Sequence, residues 1–208
     1  MDEDDTSSLY NPYFQRITPS YKSIDTSGGA NNNLASGGVR TWNAGFFLLT
    51  SGLTRGTSAN SRIGNKISYQ RLRLNYDQGC RIAIDNGGWC LRMVLVYDKQ
   101  CNGATPSVTT LWSADDVNAF PNYANEDRFI ILYDKITECT GINNNFANAI
   151  YDVDIDLCGL DATFNTGNAG TIADMQTGAI YMTYACTPIN SASNGGLWFR
   201  TRIDFTDL

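Results

Sequence analysis

Short runs of alternating or continuous apolar residues, separated by polar turns, recur along the chain. The clearest spans residues 89–106, WCLRMVLVYDKQCNGATP. Leu91, Met93, Leu95 and Tyr97 fall on one side; Arg92, Val94, Val96 and Asp98 fall on the other. A strand sends successive side chains to opposite faces. Both sets here are largely apolar, so the pattern predicts a strand covered on both sides. The polar turn at 98–103 ends it, and Pro106 forbids simple continuation. Residues 127–135, DRFIILYDK, echo this stretch, and both end in Tyr-Asp-Lys.

Further strands are predicted at 39–50, 62–76, 149–157, 179–187 and 197–205, with a short one at 107–112. From Gln70 the second of these alternates, with Leu72, Leu74 and Tyr76 on the core side and Arg71, Arg73 and Asn75 opposite. Ser113, followed by Asp115 and Asp116, reads as the cap and acidic first turn of a short helix ended by Pro121. Residues 85–88 and 191–196 read as loops, and 159–178 as a long polar loop without periodicity. About eight strands joined by loops of very unequal length argue against an up-and-down barrel. They suit an all-β fold: a single eight-stranded jelly roll of two packed antiparallel sheets with Greek-key crossings. No sequence repeat suggests a propeller or solenoid.

Residues 1–37 read as an extended N-terminal arm, and residues 38–208 as the jelly-roll domain. Asp2, Glu3, Asp4 and Asp5 repel one another and favour solvation. Tyr10, Tyr13, Phe14 and Tyr21, interrupted by Pro12 and Pro19, predict an extended segment pinned against its own domain or a neighbouring chain. Ser27, the two glycines after it and the asparagines at 31–33 have the composition of a flexible linker.

Composition narrows the chemistry. A chain of 208 residues suits one domain, burying roughly 70% of the surface its unfolded form exposes. No apolar run is long enough to cross a membrane as a helix, and the acidic start lacks the features of a secretory signal. The six cysteines, at 80, 90, 101, 139, 158 and 186, form no CxxC pair and read as small hydrophobes kept reduced. The chain has no histidine, which rules out Ser-His-Asp and Cys-His catalysis. A carboxylate hydrolase would need two facing acids, and nothing in the sequence pairs any two. The net charge of −6 argues against binding nucleic acid by bulk attraction.

Three stretches together carry a resemblance. They are Arg62-Ile-Gly-Asn-Lys-Ile67, reached through the turn at 56–61; Leu95-Val-Tyr-Asp-Lys-Gln100, with Asn102, Gly103 and Pro106; and Arg128-Phe-Ile-Ile-Leu-Tyr-Asp-Lys135. Their order and spacing, over roughly residues 40–140, resemble capsid (coat) proteins of circular single-stranded DNA viruses, including the geminivirus-like group. The coat proteins of small satellite plant viruses are similar. The resemblance implies a jelly-roll subunit that assembles in many copies into a small icosahedral shell, found in the virion, with no catalytic residues and no organic cofactor. In such families a basic arm and the inner surface contact the packaged nucleic acid. This chain departs from that pattern, because its first residues are acidic.

Arg71 and Arg73 are the candidate nucleic-acid-facing pair, against a solvated face or an intersubunit salt bridge; Arg62 and Lys66, at a strand entry, are weaker candidates. Asp152, Asp154 and Asp156 share one strand face and are candidate Ca²⁺ ligands. Neighbours on that face stand about 6.6–7 Å apart per step, so an ion there needs a ligand from another strand or subunit. A divalent cation at subunit contacts is one reading of this pattern, and an exposed acidic face that binds nothing is the other. Trp42, Trp89, Trp112 and Trp198 read as core or interface anchors. The rival reading is a carbohydrate-binding jelly-roll module with exposed aromatics and loop Asn and Asp.

Overall fold

The computed structural model describes residues 21–30, 46–82, 87–141, 146–188 and 193–208. Its strands are β1 (Lys22–Ala30), β2 (Phe47–Leu48), β3 (Lys66–Ile82), β4 (Gly87–Asp98), β5 (Phe129–Gly141), β6 (Phe146–Asp156), β7 (Asp161–Phe164), β8 (Met175–Thr177), β9 (Ala179–Pro188) and β10 (Ser193–Asp207). One sheet has the order β1-β10-β3-β6, with β7 and β8 paired beside the start of β3; the other has the order β2-β9-β4-β5. Every ladder between these strands is antiparallel. The chain crosses between sheets on passing from β1 to β2, β2 to β3, β3 to β4, β5 to β6, β8 to β9 and β9 to β10. That interleaving is a jelly roll of eight strands, with β7 and β8 added in the β6–β9 connection. No described helix is long and apolar enough to cross a membrane.

The core lies between the sheets. Leu72, Leu74, Tyr76, Ile203 and Phe205 from one sheet meet Leu91, Met93, Leu95, Ile180 and Met182 from the other, all buried. Tyr97 joins the layers: its ring meets Tyr69 edge-on and its hydroxyl donates to the carbonyl of Asp161 at 2.6 Å. The predicted two-sided burial of β4 holds, since residues 91–98 are all buried. One side faces the other sheet. The side bearing Arg92, Val94, Val96 and Asp98 lies under the connection between β4 and β5.

That connection differs from its prediction. Residues 108–111 form one helical turn, α1 (Val108–Leu111), capped by Ser107 Oγ, which accepts from the N–H of Thr110. The acidic helix expected after Ser113 is absent, and bends and turns take its place. The reason is in the hydrogen bonds. Ser113 N–H donates to Phe120 O, and the carbonyls of Val117 and Ala119 accept from Arg92, so this backbone is spent outside a helix. The polar loop at 159–178 contains β7, β8 and a 3₁₀ turn, Ile172–Asp174; strands of 4 and 3 residues are too short to show a period.

Part of the expected arm is a strand. Lys22–Ala30, placed in the arm and its linker, is β1, paired along its length with β10. Gly28 lies opposite Phe199, and a Cβ there would stand 2.7 Å from the Phe199 ring. This glycine lets an aromatic ring approach the backbone rather than loosening the chain. The first strand expected at 39–50 is described only as β2, Phe47–Leu48. The tyrosines at 10 and 13, Phe14, Trp42 and the acidic residues 2–5 lie outside the described residues.

Candidate functional site

The exposed face of the larger sheet is a lattice, set by ladder register. Each row takes one residue from β1, β10, β3 and β6 in turn. The rows are Ser23, Asp204, Arg71, Asp156; then Asp25, Arg202, Arg73, Asp154; then Ser27, Arg200, Asn75, Asp152; then Gly29, Trp198, Asp77, Ile150. Because strand side chains alternate, one register choice puts all of these on one face and the core residues on the other. The charged side chains are all Asp or Arg, four arginines against six aspartates.

The charges close on one another. Arg202 grips Asp25 through two bonds of 2.6 Å, Arg73 reaches Asp204 at 2.9 Å, and Asn75 donates to Asp152 at 2.6 Å. Arg71 makes a two-pronged pair with Asp154. The hydrogen bond from Arg202 holds the Asp25 carboxyl below the ordinary carboxylate range, and that from Arg71 does the same for Asp154. In the third row Arg200 faces Ser27 and Asn75 and has no carboxylate partner among the described residues. An open trough of about 710 Å³ crosses this region between Asp25, Arg73, Asp152, Asp154, Arg200 and Arg202. Trp198, 46% exposed, stands at its end beside Asp77.

The structure therefore splits the expected site residues. Arg71 and Arg73 do lie on one exposed face, but each is engaged by an aspartate of its own chain. Asp152, Asp154 and Asp156 also share that face, and each oxygen set is committed: to Asn75, to Arg71, and to the N–H of Cys158. Among the described residues no three carboxylates or thiols converge as a metal site. Lys66 pairs with Asp161 at 2.9 Å at the start of β3. Arg62 is a correction: it is fully buried, stacks 4.2 Å from the centroid of Phe164, and donates to the carbonyls of Gly64 and Gly167 at 2.6 Å. It ties the β2–β3 connection to the β6–β9 connection and faces no ligand. Burial pushes its guanidinium down from the usual range, yet an arginine stays charged.

Sequence reading missed Asp25, Arg200, Arg202 and Asp204. The signal for the last three was present, as Trp198, Arg200, Arg202 and Asp204 alternate within the final strand. Asp25 was hidden because its segment read as an arm.

The smaller sheet carries a second feature. The two Tyr-Asp-Lys motifs are partners in a reciprocal clamp. Asp98, at the end of β4 and fully buried, accepts two bonds from Arg128 at 2.8 and 2.6 Å, and one from Gln100 N–H. Asp134 accepts two bonds from Arg92 at 2.8 and 2.6 Å. It lies within β5, not at a strand end as its motif suggested. Arg92 also stacks 4.4 Å from the centroid of the buried Trp112. These clamps fix residues 99–128 onto the sheet, while Phe120 and Tyr123 of the same segment are 73% and 78% exposed. Cys101 is buried, Cys90 half-buried and Cys158 exposed; the side chains of Cys80, Cys139, Cys186 and Trp89 lie outside those described.

No family model matches the chain, and no curated protein matches its sequence. Among solved structures it is similar to the BFDV capsid protein, from a crystal structure of its 60-mer, at 11% identity and a TM-score of 0.34, with 90% of this chain and 91% of that one covered. A structure of the T13 IBDV viral particle is similar at 9% identity and a TM-score of 0.15, covering 90% of this chain and 40% of that one. Likenesses this low carry no functional argument. The jelly roll rests on this chain's own ladders.

Proposed function

We propose that this chain is a viral capsid protein, a non-enzymatic subunit that self-assembles in many copies into a small icosahedral shell of the virion. The observation that carries this reading is the placement of exposed apolar side chains on a jelly roll. Phe120 and Tyr123 project from the β4–β5 connection, Ile136 and Ile150 from neighbouring edge strands, Ile63 and Leu208 from the corner where β3 begins and β10 ends, and Trp198 from the sheet face. A ligand-binding module gathers its apolar surface at one site. A subunit with several neighbours needs it on several sides.

The same structure bears on the genome. A polyanion binds by displacing counterions from uncommitted cations. On the lattice, Arg71, Arg73 and Arg202 are already neutralised in place, so this face is a poor cradle for nucleic acid. Packaging of a single-stranded DNA genome then draws on cations elsewhere, or the shell closes without one. A Ca²⁺ ion at a subunit contact must displace the Arg71 and Asn75 partners of Asp154 and Asp152 or take its ligands from a neighbour.

Negative-stain microscopy and light scattering of the purified chain, across salt and pH, test the reading, with closed shells the expected result. The ratio of absorbance at 260 and 280 nm reports nucleic-acid content. A monomer at micromolar concentration in all conditions overturns it. A carbohydrate-binding module is the second reading, favoured by the exposed Trp198 ring beside Asn75, Asp77 and Arg200. Glycan binding by the monomer, lost in Trp198→Ala, would establish that alternative.

A further inference from the structure

We infer that the clamped β4–β5 connection is one half of a head-to-tail contact between copies of this chain, and that the Arg55–Ile63 corner is the other half. The inference rests on the self-assembly proposed above and names two surfaces for it.

The first half is built to stay rigid. Ser113 N–H bonds Phe120 O, Asn122 N–H bonds Leu111 O, and the Asn122 and Asn125 side-chain amides donate to the carbonyls of Thr109 and Thr110 at 2.9 Å. Beneath lie the Arg92–Asp134 and Arg128–Asp98 clamps. Little entropy remains to be lost when the two aromatics on this frame are buried by a partner. Phe and Tyr are strong interface anchors, each burying about 150–250 Å². Exposed Asp115, Glu126 and Asp127 flank them, so the partner must be apolar at its centre and positive at its rim.

The second half fits that description. Ile63 is 57% exposed and Leu208 63%, and the two are drawn together: Ile63 N–H donates to Asp207, and Leu208 N–H donates to Lys66 O. Arg55 is exposed and curls over them, its Nε donating to Ile63 O at 3.2 Å. It has no carboxylate partner among the described residues. The nearby Asp207 is already matched by Lys22 at 2.8 Å.

Topology places the halves for a repeating contact. The connections β2–β3 and β4–β5 both leave the same end of the sandwich, the end where β3 begins and β4 finishes. One departs from edge strand β2 and the other enters the opposite edge strand β5. Copies joined through them stand side by side, and a head-to-tail contact of this kind closes into a ring when its rotation allows.

The test compares assembly of the wild type with Phe120→Ala/Tyr123→Ala, Arg55→Glu and Glu126→Arg/Asp127→Arg, by light scattering and microscopy, with circular dichroism to confirm folding. All these positions are exposed. Each variant is expected to raise the concentration needed for assembly at least tenfold, and Arg55→Glu combined with Glu126→Arg/Asp127→Arg is expected to recover much of the loss. Normal assembly of the aromatic variant overturns the contact and leaves the capsid reading standing. Failure of the charge exchange to recover assembly overturns the pairing of these two surfaces. A wild type that never assembles overturns both the contact and the capsid reading.

Discussion

The two sheets of this sandwich solve one problem in opposite ways. Each has an inner face packed into the common core and an outer face that must be reconciled with water. The larger sheet leaves its outer face bare and covers it with Asp and Arg, which neutralise one another across strands. The smaller sheet gives part of its outer face to Val94, Val96, Arg92 and Asp98, and roofs them with its own β4–β5 connection. The same kind of pair, arginine with aspartate, therefore works under different conditions. On the bare face both partners stay hydrated and each pair adds little. Under the roof, Asp98 is fully buried and Arg92 nearly so, and each charge depends on its partner. One face tolerates change, while the other is committed to a single arrangement and holds the connection that carries Phe120 and Tyr123.

Breaking the buried side should have the largest effect. Asp98→Ala strands the Arg128 guanidinium and should cost about 3 kcal/mol, near the lower end of the range for broken buried pairs because Arg128 still reaches water. For a chain of this size that is a fall in Tm of about 6–12 °C, checked by calorimetry. Trp112→Ala removes the roof from Arg92 and should also cost about 3 kcal/mol. It should in addition raise hydrogen exchange in residues 108–122 before global unfolding, which a surface change would not do.

A change at the rim of the lattice is next in size. Gly28→Val pushes a side chain into the Phe199 ring and should cost about 1–3 kcal/mol by overpacking. Chemical denaturation of that variant separates a packing role for Gly28 from the linker role its composition suggests, since a linker glycine would show no loss.

On the open face the effects shrink. Arg71→Ala should leave stability almost unchanged, because both partners of the pair are open to solvent, and the difference should shrink further in molar salt. A loss as large as that of Asp98→Ala would erase the contrast between the sheets. Acid should act in the same place. Asp25 and Asp154 titrate below the ordinary carboxylate range because of their arginines, so the stability they add is whole above about pH 4. It disappears as pH falls through their lowered values. The wild type should lose a little more Tm on acidification than Arg71→Ala does, and equal losses would show that this pair contributes nothing.

Much of the jelly roll could be read from residue patterns because its long strands alternate or run apolar over many residues. β4, β5, β6, β9 and the second half of β3 were all visible in this way. Short or glycine-rich elements were not: β7 and β8 are shorter than any period, and β1 hides its strand behind small residues that pack under a ring. The lattice was half legible. Alternation put Arg71 and Arg73 on one face and Asp152, Asp154 and Asp156 on another, but could not say that these were the same face of one sheet. Strand pairing is long-range, and only the fold sets β3 between β6 and β10. The reciprocal clamps were similarly veiled, since the echo of Tyr-Asp-Lys was plain but its arginine partners lie 30 and 42 residues away. The sequence by itself determined the core residues of the long strands and that the chain is built of strands, because side-chain period and apolar content are local. Tertiary structure alone decided which charges meet, that Arg62 is buried, and which apolar side chains are left facing outward, because those depend on what each strand is placed beside.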